Sequence, residues 1–204
     1  MNDSITGITG NPREVTTTVP VDVGTGRTPG QGLRTETRVS IRVATHLDGE
    51  GLRGMFSRSS AETIHRRFHT PFPQVPEWML ALMLDADRTD KEFLVAVADG
   101  KVVGHAMYAM LGGGEAEMAI VVEDGWQSKG VGKALLRELA ADAGRRGVQT
   151  FVGSVLTDNR PMLGLIGAMF AGSRRAFDDG AYLVRMPLET LEPAAPERNL
   201  GRAA

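Results

Sequence analysis

The sequence predicts an α+β fold, in which a mixed, mostly antiparallel sheet is flanked by helices on both faces. Segments with the two-residue period of strands are interspersed with segments whose apolar residues recur at helical spacing. Three of the strand segments follow one another with only tight turns between them. The chain has 204 residues, of which 42% are hydrophobic and 24% charged, as in ordinary globular proteins. This length and composition indicate one compact domain with tails.

The first strand and helix are predicted between residues 39 and 58. Residues 39–44 alternate between apolar and polar side chains, which predicts a strand. Thr45 and Asp48 have the spacing of a helix cap. Three glycines follow within six residues, and each weakens a helix by up to about 1 kcal/mol. We therefore expect a loose or bent helix there.

Two more short helices precede the main strands. Ser60 can cap a helix that ends near Phe68, and Pro76 can open another. In the second helix, apolar residues recur at helical spacing, and we expect Trp78, Met79 and Met83 in the core.

Three consecutive antiparallel strands are predicted in the middle of the chain. Residues 92–98 and 102–110 flank Asp99-Gly100, which is a strong hairpin signal. A run of three glycines then turns the chain into residues 117–122.

The clearest helix of the sequence lies in its second half. Residues 130–146 carry one apolar stripe and end with two arginines and a glycine, as helix dipoles and C-caps favour. Residues 150–155 read as a strand, and a second amphipathic helix begins near Asn159. Residues 182–186 complete the sheet.

Both termini are predicted to be loose. Residues 1–38 mix Thr, Gly and Pro with scattered charges and contain no aromatic residue, so they cannot bury enough surface to offset the entropy of ordering. A strand formed by Val19, Val21 and Val23 and donated to a partner is the alternative. Residues 39–190 form the predicted domain, and residues 191–204 form a loose second tail.

Composition excludes several classes of protein. A formal net charge of −2 provides no basic field for nucleic acid. Cysteine is absent, which excludes disulfides and thiolate chemistry and fits the reducing cytoplasm, where we expect the protein. No segment approaches the roughly twenty apolar residues of a membrane span, so we expect no membrane association. His65 and His69 stand four residues apart but have no carboxylate between them, and we predict no metal site.

The segment that carries the chemistry runs from a strand into the helix over residues 121–132. The first N–H groups of a helix lack intrahelical partners, and Gly130 and Gly132 allow an anion to approach closely. Two known phosphate loops do not fit. A Walker loop needs Ser or Thr after its lysine, but Ala134 follows Lys133. A dinucleotide loop needs a third glycine, but position 135 is Leu.

The remaining pattern, Gln127-x-x-Gly130-x-Gly132, resembles the CoA-binding loop of the Gcn5-related N-acetyltransferases, or GNAT superfamily. Its context fits as well, because it follows an apolar strand, opens a helix and precedes a strand that leads to Asn159. The resemblance covers residues 39–188 and implies the GNAT fold. Residues 57–68 and 116–122 are most similar to the bacterial protein-lysine acetyltransferase branch.

The resemblance implies a site for acetyl-CoA, used as co-substrate without a metal. The pyrophosphate would be bound by backbone amides of the loop, the pantetheine arm would pair with the preceding strand, and an asparagine would bind the arm near the thioester. Lys129 and Lys133 are candidates for the 3′-phosphate, with solvated helix residues as the alternative. The implied binding residues are Ile120, Val121, Val122, Gln127, Ser128, Lys129, Gly130, Val131, Gly132 and Asn159.

The resemblance also implies a catalytic base. An acceptor lysine is protonated at neutral pH and has to lose a proton before it can attack. Glu117 occupies the position of the family's glutamate base, and Glu115 on the same face is the alternative. A backbone N–H of Val121 or a neighbour would stabilise the tetrahedral intermediate. The general acid is unassigned, because Ile166 stands where many members carry a tyrosine.

These expectations define an N-acetyltransferase with a protein lysine as acceptor. A small amine, such as a polyamine or aminoglycoside, is the alternative within the enzyme class. A non-catalytic CoA-binding sensor is the alternative outside it. The general acid could be Tyr108 or Tyr182, although the sequence does not place either of them. The sequence also leaves open whether the protein forms a homodimer.

Overall fold

A computed structural model describes residues 19–22, 36–85 and 89–191. Within these residues, eight strands form one sheet in the order β1-β2-β3-β4-β5-β6-β8-β7. The strands are β1 (Val19–Asp22), β2 (Glu36–Val43), β3 (Lys91–Ala98), β4 (Lys101–Gly112), β5 (Glu115–Val122), β6 (Thr150–Leu156), β7 (Arg174–Asp178) and β8 (Ala181–Pro187). All neighbouring pairs are antiparallel except β5 and β6, which run parallel. The predicted α+β class with a mixed, mostly antiparallel sheet is confirmed.

Five α-helices cover the two faces of the sheet within the described residues. They are α1 (Gly49–Arg58), α2 (Ala61–Phe68), α3 (Glu77–Leu82), α4 (Val131–Arg145) and α5 (Arg160–Met169). Helices α4 and α5 pack on one face, called here the α4 face. Helices α1, α2 and α3 pack on the other, called the α2 face.

The alternation of side chains along the central strands builds both cores. In β3, Leu94 and Ala96 point to the α4 face, whereas Phe93 and Val95 point to the α2 face. Helix α4 inserts a leucine stripe into the first core, and Leu135 is fully buried there. Truncating such a leucine to alanine costs about 2–5 kcal/mol.

The predicted loose helix after residue 45 is instead the regular helix α1. Its glycine at position 51 has a packing role, because a Cβ at Gly51 would lie 2.7 Å from Val102 Cγ2 on β4. The predicted cap of Thr45 and Asp48 is present, but it closes a 3-10 turn over His46–Asp48 that leads into α1. The Asp48 carboxylate accepts hydrogen bonds from the Thr45 backbone N–H (2.8 Å) and from Arg42 (2.6 and 2.8 Å). Propensity alone would not reveal that the glycine allows a close approach of helix and sheet.

Part of the predicted N-terminal tail belongs to the sheet. Strand β2 begins at Glu36, and β1 pairs with it within the same chain. Hydrogen bonds between the backbones of β1 and β2 hold this segment in the sheet, and amino-acid composition does not indicate such pairing. Residues 1–18 and 23–35 lie outside the described residues. So does the predicted C-terminal tail, apart from Leu191, which forms an isolated bridge with Phe170.

Two further expectations need correction. Trp78 is 62% exposed rather than buried, because α3 turns Leu80 inward and Trp78 outward. Strand β7 has no counterpart in the predictions, since each of its side chains is exposed and the segment therefore shows no burial period. Among the described residues, no helix is both long and apolar enough to cross a membrane.

Candidate acyl-CoA and acceptor site

The two central parallel strands separate after a short common stretch. Strands β5 and β6 pair only at three positions, of which the last joins Glu117 to Val152. Beyond that pair, β5 continues to Val122 and β6 continues to Leu156. We call the opening between them the fork and the pair Glu117–Val152 its apex. The fork leaves one edge of β5 accessible in the middle of the sheet.

Alternation along β5 determines which peptide groups face the fork. The Glu123 N–H donates to the Val103 carbonyl (2.9 Å), so the odd-numbered residues of β5 bond to β4. The even-numbered residues Ile120 and Val122 direct their peptide groups into the fork. Val121 N–H, predicted to stabilise the tetrahedral intermediate, thus faces β4, and its neighbour Ile120 presents the N–H at this point.

A cavity of about 490 Å³ fills the fork and reaches the start of α4. Its walls come from β5, β6, α2, α5 and the loop before α4. Eight of the residues implied by the family resemblance line it, namely Ile120, Val121, Val122, Gln127, Ser128, Gly130, Gly132 and Asn159. The other two do not line it. Val131 is fully buried in the core, and the Lys129 ammonium lies over the Trp126 ring at 5.6 Å.

The start of α4 has the features of an anion-binding helix start. No side chain caps this helix, and its N-cap residue Gly130 has a φ of 87°, in the left-handed region that favours glycine. Ser128 also has a positive φ of 58°, so the loop is tightly wound. A Cβ at Gly132 would lie 3.4 Å from Leu165, which places α5 directly against this turn. The uncapped N–H groups and the helix dipole therefore face the cavity and favour negative charge.

Helix α2 holds the loop in shape through one hydrogen-bond network. Gln127 Nε2 donates to Thr63 Oγ1 and to the Val122 carbonyl, both at 3.0 Å. Thr63 Oγ1 donates to Asp124 (3.0 Å), whose carboxylate also accepts from the Ser60 backbone N–H (2.8 Å) and hydroxyl (2.7 Å). Burial tends to raise the pKa of Asp124, but the Ser60 and Thr63 hydrogen bonds lower it overall. Asp124 is thus an anion at neutral pH, and the sequence did not single it out.

An ion pair also connects the end of α1 to the loop before α4. Arg58, at the end of α1, forms a bidentate ion pair with Glu123, and its Nη2 also donates to the Val102 carbonyl (2.9 Å). The loop is therefore attached at adjacent positions to the segment joining α1 and α2.

Glu117 lies at the apex, on the α2 face. Its side chain is exposed and does not line the cavity, but its neighbours Met118 and Ala119 do. The alternative base, Glu115, forms an ion pair with Arg185 of β8. Of the two carboxylates, Glu117 is the one beside the fork without an ion pair among the described residues.

Asn159 is the N-cap of α5, and its Oδ1 accepts from the Met162 backbone N–H (3.2 Å). With its oxygen used in this way, the side-chain N–H groups are directed toward other acceptors. Asn159 lines the cavity.

The tyrosines considered as general acids lie away from the cavity. The Tyr108 hydroxyl donates to Asp142 (2.8 Å) beneath α4, and burial together with this bond raises its pKa. Tyr182 packs against Phe177 at the β7–β8 end of the sheet. Ile166 is buried in the core, so the tyrosine common in the family has no counterpart there.

The described residues contain no group of three or more His, Asp or Glu side chains arranged to hold a metal ion. His105 is buried, its Nε2 lies 3.1 Å from the Met83 carbonyl, and burial lowers its pKa to about 3. It is therefore a neutral core residue.

The open edge of β5 leads into the uncapped start of α4, which is the arrangement that the sequence resemblance implied. The sequence pattern of the Acetyltransferase (GNAT) family matches residues 58–169. Acetyltransferase PA5475 of Pseudomonas aeruginosa is 30% identical over 156 residues, covering 74% of this chain and 84% of that protein. This chain belongs to the GNAT family of acetyltransferases, as the sequence predicted.

Other similar proteins extend this result. Acetyltransferase Pat of Mycolicibacterium smegmatis is 34% identical over 107 residues, which is 50% of this chain but 32% of that protein, so the chain spans about a third of its length. The GNAT domain of S. lividans PAT is 27% identical with a TM-score of 0.70, covering 84% of this chain and 96% of that domain. PaiA N-acetyltransferase of Thermoplasma acidophilum, solved with coenzyme A, shares the fold at 18% identity and a TM-score of 0.60.

Proposed function

We propose that this enzyme transfers the acetyl group of acetyl-CoA to the side-chain amine of a protein lysine. The observation that carries the proposal is the fork between β5 and β6, which opens onto the uncapped start of α4. Similarity to two proteins named Pat supports a protein acceptor.

Acetyl-CoA fits the fork by charge and by hydrogen bonding. The backbone N–H groups around Gly130 and Gly132 would bind the pyrophosphate. The amides of the pantetheine arm would pair with Ile120 and Val122, as an added strand pairs with a sheet edge. The four residue-to-residue steps from Val122 back to Met118 span roughly 13 Å, which directs the thioester toward the apex. Lys133, which lines the cavity, is the stronger candidate for the 3′-phosphate.

At the apex, Glu117 would accept the proton from the attacking ammonium group. The amine attacks the thioester carbonyl, and the Ile120 N–H stabilises the oxyanion that forms. The carbon–sulfur bond then breaks, and CoA leaves as a thiolate without a dedicated acid, because its thiol has a pKa near 8.5. The second proton, still on the acetylated nitrogen, passes to the departing thiolate, so the products are N-acetyl-lysine and the CoA thiol. This accounts for activity in a chain that carries Ile166.

Replacing Glu117 tests the proposal. In Glu117→Gln, we expect turnover of a lysine peptide at pH 7 to fall by about 100-fold to 10,000-fold while acetyl-CoA affinity is retained. The defect should shrink as pH rises toward the amine pKa of about 10.4, because the amine then loses its proton unaided. CoA release measures turnover, and calorimetry measures affinity.

The matched control is Glu115→Gln, which removes a carboxylate two residues away that is already paired with Arg185. We expect that variant to keep near-native turnover. A large loss in Glu115→Gln with little loss in Glu117→Gln would reverse the assignment. Turnover of polyamines or aminoglycosides but of no peptide would identify a small-molecule enzyme, and acetyl-CoA binding without any turnover would identify a sensor.

A further inference from the structure

Arg67, on α2, is a largely buried cation, and no carboxylate of the described residues forms an ion pair with it, although the charge of Glu117 is nearby. Its Nη2 contacts the Met107 sulfur at 3.6 Å, and its guanidinium lies 4.9 Å from the centre of the Phe68 ring. Its Nε is buried and has no hydrogen-bond partner among the described residues. Burial lowers the pKa of Arg67 to about 10, and the nearby charge of Glu117 opposes this change. Arg67 is therefore charged at neutral pH, and a buried charge of this kind is stabilised by an anion.

Helix α2 runs along the fork toward the apex, and Arg67 lies near its apex end. Thr63, near the start of the helix, bonds to Gln127 in the CoA loop. Arg67 lies one turn further along, about 6 Å toward the apex. Met107, which it contacts, pairs across the sheet with Ala119, the residue two positions after Glu117. Arg67 thus faces the region between the thioester end of the cavity and Glu117, and it lines the cavity itself.

The other arginines around the apex already have partners. Arg66 pairs with Glu62 at 2.5 Å, and Arg185 pairs with Glu115. A polycationic acceptor would bring more positive charge against Arg67, whereas an acceptor carboxylate would accept hydrogen bonds from its guanidinium, whose Nε has no partner among the described residues.

We propose that Arg67 determines acceptor specificity by binding a carboxylate that lies next to the reacting amine. In a protein acceptor, this is an Asp or Glu side chain close to the modified lysine. The proposal rests on the proposed function, because it assigns the chemistry of the acceptor to the same site.

The test uses three peptides that differ only at one position adjacent to a single lysine, which carries Glu, Gln or Lys. For the native enzyme, we expect kcat/KM to be about tenfold higher with Glu than with Gln, and lowest with Lys, since a hydrogen bond between charged groups contributes this much. In Arg67→Met, the three values should converge to within about twofold. Arg67→Lys keeps the charge and should restore part of the preference. The KM for acetyl-CoA should stay within a fewfold of native in both variants.

Arg53→Met is the matched control, because Arg53 forms an exposed ion pair with Glu77 away from the fork and should leave the preference unchanged. Equal kcat/KM for the three peptides with the native enzyme, or a Glu preference that persists in Arg67→Met, would overturn the inference alone. Turnover of small amines with no turnover of any peptide would instead overturn the proposed function. Thermal midpoints of both Arg67 variants verify that each is folded.

Discussion

The network between α2 and the CoA loop predicts that Asp124 controls acetyl-CoA affinity without contacting the ligand. Its carboxylate accepts hydrogen bonds from the Ser60 N–H, the Ser60 hydroxyl and the Thr63 hydroxyl. Asp124→Asn keeps the shape but places an amide N–H₂ where one oxygen accepts. In one orientation, the new donor would face the Ser60 N–H donor, and in the other it would face two hydroxyls.

The size of the effect follows from these bonds. A hydrogen bond to a charged group contributes about 1.5–3 kcal/mol when it is shielded from water. Asp124 is solvent-exposed, so screening reduces the loss to about 1 kcal/mol. If that energy holds the loop in its binding shape, the dissociation constant of acetyl-CoA rises about fivefold.

Calorimetry with acetyl-CoA measures this change, and Thr63→Val provides an independent break in the same network. The exposed ion-pair variant Glu77→Gln serves as the control, because Glu77 does not contact the loop. The folded-state pKa of Asp124 is lowered, so its bonds are present above the unfolded pKa of about 3.9 and are lost as pH falls through the folded value. The Asp124 contribution should thus be constant from pH 7 to pH 5. Native affinity in both Asp124→Asn and Thr63→Val would refute the idea that this network shapes the loop.

Three further outcomes follow from the site and the core. Gly130→Asp should weaken acetyl-CoA binding by about 100-fold or more in calorimetry, since it adds strain at φ 87° and a negative charge at the helix start, whereas Gly125→Asp, where a Cβ meets open space, should have little effect. Lys133→Ala should raise the KM for acetyl-CoA about fivefold and reduce the preference over the 3′-dephospho form, and Lys129→Ala should change both less. Because His105 has a folded pKa of about 3 against about 6.5 unfolded, the free energy of unfolding should fall by about 2 kcal/mol from pH 7 to pH 5; His105→Gln should flatten that slope in urea titrations, and an unchanged slope would contradict it.

The periodicity of apolar residues was sufficient to predict a helix or strand where the segment has one buried and one exposed side. Helix α4 was predicted over residues 130–146 and spans Val131–Arg145, because its leucine stripe fills the core. It was insufficient for β7, whose side chains are all exposed, and for β1, whose place depends on pairing with β2. Local sequence patterns do not encode such partners.

In the candidate site as well, features with a local sequence pattern could be predicted, and features that depend on distant contacts could not. The place of the loop from Gln127 to Gly132 at a helix start could be predicted, because glycines at this spacing are typical of such anion-binding turns. The contacts that Thr63, Asp124 and Arg67 make beside the cavity could not be predicted, because they depend on α2 packing against β5 about sixty residues further along the chain. Ordinary polar residues in a short helix carry no signal of that contact.

The three-residue junction between β5 and β6 has a mechanical consequence. Among the described residues, it divides the sheet into a five-strand part and a three-strand part, which the β5–β6 ladder joins at three positions that end at the apex. Amides along the fork exchange with solvent when no ligand covers them, and those of β3 and β4 are shielded by neighbours on both sides. A bound acyl-CoA would lie in the fork and connect β5 of the first part to β6 of the second. Hydrogen-exchange protection gained on binding should therefore be concentrated at Ile120 and Val122 and extend into β6, so that the substrate completes the sheet on which it reacts.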